Sequence, residues 1–131
     1  MNAEQRVLII DSDLKNCKAI KYVLTEYGIG AYYTLSVIDG IERLHHHNYE
    51  LVILDISLSE TDGLQLLRFM RHTKNMPILV LSSQGGIERR ERAFYMGADD
   101  FIYTDTWHGI TSSSALLGCI IGSALSGFFA S

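Results

Sequence analysis

Apolar residues along this chain fall in short unbroken runs rather than in alternation. Val7–Ile10, Leu51–Leu54 and Ile78–Leu81 are each four apolar residues long. Runs of this length, rich in β-branched residues, suit strands buried on both faces of a parallel sheet. The segments between them carry helical spacing. Asp13 can cap a helix over Leu14–Tyr27, with Leu14, Cys17, Ile20, Leu24 and Tyr27 on one face, and Gly28 and Gly30 end it. Ala31–Leu35 reads as a short second strand. Ser36 can cap a helix running through Leu44, with Ile41 and Leu44 turned inward. Asp62-Gly63 opens a helix through Met70, and Pro77 starts the fourth strand. Gly85-Gly86 leads into a charged helix, Ile87–Met96, stopped by Gly97, and Phe101–Tyr103 is a short fifth strand. Strands alternating with helices predict an α/β domain of parallel βαβ units with right-handed crossovers.

The polar residues that end these runs change the picture from fold to chemistry. Asp11 ends the first, Asp55 the second and Ser82-Ser83 the third. Open α/β sheets gather ligands at the carboxyl ends of their strands. Two acids and a hydroxyl at three strand tips make an oxygen-lined pocket suited to a hard divalent cation and a phosphoryl group.

At these residues the chain resembles the receiver domain of bacterial two-component response regulators. The matching stretches are VLIIDSD at 7–13, LVILDISLSETDG at 51–63, PILVLSS at 77–83 and GADDFIYT at 97–104. The resemblance implies a flavodoxin-like (βα)5 doubly wound sheet with strand order 2-1-3-4-5 and a receiver core over 1–105; residues 106–131 form an atypical, uncharged C-terminal helix or tail beside it. It implies a signalling protein rather than an enzyme. By the same resemblance, Asp55 is the phosphate acceptor, Ser82 the switch hydroxyl and Phe101 the switch aromatic. Magnesium would be held by Asp11, by Asp55 and by the backbone carbonyl of Ser57. The implied phosphoryl donor is a histidine kinase or phosphotransfer protein, in the cytoplasm, with an output partner the sequence does not identify.

The chain departs from that family pattern in three places. Ser12 stands where a second metal carboxylate is expected, so magnesium binding should be weak. Ser59 replaces a proline common after the acceptor. Thr104-Asp105 replaces a nearly obligatory lysine and the proline that usually follows it, which removes the family's one cation at the site. Asp13 sits one residue late for the metal and suits a helix cap. These losses support a second function: a pseudo-receiver that binds a partner without phosphorylation.

Composition narrows the remaining classes. The 131 residues carry 11 basic and 15 acidic side chains, a formal net charge of −4, which gives no electrostatic footprint for nucleic acid. Cys17 and Cys119 lack metal-ligand spacing and read as buried free thiols of a reducing compartment. The polar N-terminus does not suit a secretion signal. His45-His46-His47 point around a helix instead of converging, and Arg89-Arg90-Glu91-Arg92 read as a solvated helix face. Tyr32-Tyr33 read as strand packing. Residues 106–131 hold no Asp, Glu, Lys or Arg, and Ser114, Gly118, Gly122 and Ser126 recur every four residues. Three readings of this tail stand: a divergent fifth helix docked on the sheet, the frameshifted or truncated end of a longer regulator, or a membrane anchor. The last is weakened by the Gly and Ser content and the absence of flanking basic residues.

Overall fold

The computed structural model describes residues 5–56, 60–73, 76–82 and 87–103. Nine elements alternate along them: β1 (Gln5–Ile10), α1 (Leu14–Glu26), β2 (Gly30–Thr34), α2 (Val37–His46), β3 (Leu51–Asp55), α3 (Glu60–Thr73), β4 (Ile78–Ser82), α4 (Ile87–Met96) and β5 (Asp100–Tyr103). The strands form one sheet in the order β2-β1-β3-β4-β5, and each neighbouring pair is parallel. This is the flavodoxin-like receiver topology expected from the sequence.

Parallel strands can be buried on both faces only if helices cover each side. The alternation along β1 shows this division. Val7 and Ile9 join Cys17, Ile20 and Leu24 of α1 in one core, with Ile53, Leu79 and Leu81. Leu8 and Ile10 join Leu44 of α2, Leu67 and Met70 of α3 and Ala93 of α4 in the other, with Val52, Leu54 and Val80. The apolar runs are continuous because both faces are cores.

Helix termini follow the local chemistry. The Asp13 carboxylate accepts from Lys15 N–H at 2.9 Å and caps α1, and the Ser36 hydroxyl accepts from Asp39 N–H and caps α2. Gly28, at φ +75°, lets the chain leave α1. The inward face of α1 is narrower than its spacing predicted. Cys17, Ile20 and Leu24 are buried, but Leu14 and Tyr27, at the two ends of the helix, are exposed. Element ends also shift by a few residues: β2 stops at Thr34, and α3 runs from Glu60 to Thr73, beyond the expected Asp62–Met70. The three consecutive histidines are exposed at the end of α2, as expected. Tyr32 does more than pack. Its hydroxyl lies 3.2 Å from Asp39 Oδ2, and the Arg43 guanidinium covers its ring at 3.7 Å.

One side chain fixes the return from α3 to the sheet. Arg71 donates to the carbonyls of Gly97 and Met76 and pairs with Asp99, whose Oδ2 also accepts from Ile78 N–H at 2.8 Å. Gly97 is held at φ +120° against Arg71. The start of β4 and the turn before β5 are thereby clamped together.

Candidate functional site at the carboxyl edge of the sheet

The register of β1 and β3 pairs Ile10 with Leu54, so Asp11 and Asp55 follow side by side at the carboxyl edge. Ser82 ends β4 one residue beyond Leu81, the partner of Asp55. Phe101 pairs with Val80 in β5 and is buried in the core shared with α3 and α4. The fold therefore brings together Asp11, Asp55, Ser82 and, one strand further, Phe101. Ser57, Ser59, Thr104, Cys119 and the tail over 106–131 lie outside the described residues.

The two carboxylates are not equivalent. Asp11 is 1% exposed, and Asp55 is half-buried. Asp11 Oδ1 accepts from Asp13 N–H at 2.8 Å. Its other oxygen, Oδ2, is buried and has no hydrogen-bond partner among the described residues. Burial, and then the charge of Asp55, pushes the Asp11 carboxyl up from 3.8 to about 8, with the Asp13 N–H partly opposing. A buried, unpartnered anionic oxygen beside a second carboxylate is costly unless a cation or a proton neutralises it. The donor set is all oxygen, which fits a hard divalent cation. Asp13 does not join it, because its carboxylate caps α1. Among the described residues no cluster of three or more His, Cys, Asp or Glu side chains is set to hold a metal ion.

Cys17 lies beneath this edge. It is buried and free, and its thiol donates to Asp11 O at 3.3 Å. Burial and the nearby carboxylates push it up to about 12, so it stays a protonated core thiol.

Arg89 corrects the reading of its segment as a solvated helix face. Its Nε donates to Ser82 Oγ at 3.1 Å, and Nη2 donates to the carbonyl of Ile56 at 3.3 Å. The guanidinium thus reaches the residue after Asp55 and the hydroxyl at the tip of β4. The signal was present in the chain order. In a βα unit the first turn of the helix rises from the carboxyl edge, so an arginine there is carried to the site.

Comparison with known proteins agrees with the geometry. The family model described as "Response regulator receiver domain" matches residues 7–105. The chain belongs to the response regulator receiver family. Among its relatives, the probable transcriptional regulatory protein SilR of Salmonella typhimurium is 34% identical over 98 residues, covering 74% of this chain and 43% of its own. The cell cycle transcriptional regulator CtrA of Caulobacter vibrioides is 33% identical, covering 74% and 42%. The chain thus spans about two-fifths of the length of these relatives. An orphan response regulator of H. pylori superposes with a TM-score of 0.72 at 26% identity over 93% of this chain and 98% of its own. A two-component response regulator from Clostridium difficile gives 0.78 over 95% of each chain; at 24% identity that likeness concerns the fold alone. The receiver family is one of two-component signal transduction, and the comparisons favour this reading over the pseudo-receiver. Among the described residues no helix is long and apolar enough to cross a membrane.

Proposed function

We propose that this receiver takes a phosphoryl group on Asp55 from a histidine kinase or phosphotransfer protein. One observation carries the reading. Asp55 is half-buried at a strand tip, beside a buried carboxylate whose Oδ2 has no donor among the described residues. That pair suits a cation and a nucleophilic carboxylate in one pocket.

Magnesium is the hard cation the resemblance implies, and Asp11 and Asp55 would hold it, with the Ser57 carbonyl as the expected third protein ligand. When bound it supplies positive charge to the phosphoryl oxygens. The chain's own residues do the rest. Asp11 orients the pocket through its bond from Asp13 N–H. Asp55 presents its carboxylate at the open edge. Ser82 would offer a hydroxyl to the transferred group, and Phe101, buried one strand away, would register that movement.

The test is direct. The chain is incubated with magnesium and a small phosphodonor such as acetyl phosphate, and its mass is followed. A mass increase that Asp55→Asn abolishes is expected. An unchanged mass in the wild type would overturn the reading and leave partner binding without phosphorylation as the function.

A further inference from the structure

The phosphoryl-acceptor reading leaves a charge problem. A phosphoryl group on Asp55 brings about two negative charges to a pocket that already holds Asp11. The lysine that would answer this after β5 is absent, since the sequence has Thr104 there. Arg89 lies over the same edge. Its Nε and Nη2 engage two neutral oxygens, Ser82 Oγ and the Ile56 carbonyl. A guanidinium gains more from an anionic partner than from neutral ones, and its planar fork matches phosphoryl oxygens.

We propose that Arg89 is the cation that binds the phosphoryl oxygens on Asp55, and that it gives up Ser82 in doing so. This rests on Asp55 being the acceptor. In the transfer, an Asp55 carboxylate oxygen forms a bond to phosphorus as the donor's bond to phosphorus breaks. The leaving group keeps the electron pair and takes a proton from solvent where it needs one. Arg89 then gives up the Ser82 hydroxyl for the new anion. The Ser82 oxygen, relieved of the Nε–H, can turn its own proton toward the phosphoryl group. Arg89 stands in the first turn of α4, so the exchange pulls on that helix directly. Different contacts in the two states are what shift a population.

The experiment uses the full chain, acetyl phosphate and magnesium, with mass spectrometry as the readout. Arg89→Gln should label about tenfold or more slowly, the scale of one lost contact to a charged group. Arg89→Lys should keep most of the rate. Thr104→Lys should restore Arg89→Gln and add much less to the wild type, because the two cations serve one anion. Hydrogen exchange over residues 87–96 with beryllofluoride should change in the wild type and not in Arg89→Gln. Arg89 is half-exposed, so the variants are expected to fold, and thermal melting checks this. The Thr104→Lys comparison in the wild-type background stands without them. Wild-type labelling in Arg89→Gln would overturn the proposal while leaving Asp55 as acceptor. Slow labelling that neither lysine repairs would assign Arg89 to loop structure and overturn it too. Absence of any Asp55-dependent labelling in the wild type would remove the acceptor reading itself, and the proposal with it.

Discussion

The Asp13 backbone N–H satisfies one oxygen of Asp11, at 2.8 Å, while the other is buried with no donor among the described residues. Among the described residues, folding thus leaves that oxygen to be stabilised by a proton or a cation.

The pH dependence follows from that arrangement. The Asp11 carboxyl titrates near 3.8 in the unfolded chain and is raised to about 8 in the fold. Between those values the folded chain binds more protons than the unfolded one, so stability falls as pH rises, and the loss is complete above about 8. At neutral pH without divalent cations, Asp11→Asn should stabilise the chain by about 1–3 kcal/mol. Urea unfolding at several pH values checks this. A variant equal to the wild type at pH 7 and 4 alike would contradict it. Added magnesium should raise wild-type stability and leave Asp11→Asn nearly unchanged.

Ser12 is exposed next to Asp11. Ligand charge count tunes the affinity of oxygen sites for hard cations, so Ser12→Asp should tighten magnesium binding by roughly tenfold. Calorimetric titration of the two proteins is the measurement, and equal affinities would mean that another ligand already completes the shell.

The clamp behind β4 and β5 makes a different prediction. A Cβ at Gly97 would lie 2.7 Å from Arg71 Cγ, on a backbone at φ +120°. Gly97→Ala should cost about 1–3 kcal/mol. Arg71→Ala removes the bonds to Gly97, Met76 and Asp99 and should cost a similar amount, on the order of 1–3 kcal/mol. The double variant should cost less than the sum, because the clash disappears with the arginine. Denaturant unfolding of the full cycle decides it.

Ser82 is fully buried and accepts from Arg89. Ser82→Ala should leave Asp55 labelling within a few-fold and blunt the exchange response of residues 87–96 to beryllofluoride. A normal response would place the switch elsewhere.

Much of this was legible in the chain. The runs at Val7–Ile10, Leu51–Leu54 and Ile78–Leu81 are buried on both faces and could hardly be anything but inner strands of a covered sheet. Asp11, Asp55 and Ser82 were visible because each is the first polar residue after such a run. Arg89 was missed because its neighbours, Glu88, Arg90 and Glu91, are exposed, and composition alone does not say which charge of a helix face turns back to the sheet. The exposure of Leu14 and Tyr27 was missed for a related reason: periodicity gives a helix's face and not where the surface beneath it ends.

The strand order also governs when the pocket can exist. β1 is made first yet lies between β2 and β3, so Asp11 waits for β3 before it has Asp55 as a neighbour. Each parallel pairing requires a crossover, and such non-local contacts form late. A chain still emerging from the ribosome with only β1 and β2 made carries Asp11 without Asp55 beside it. The pocket closes only as β4 and α4 bring in Ser82 and Arg89. Competence for labelling by acetyl phosphate should thus arrive late in synthesis.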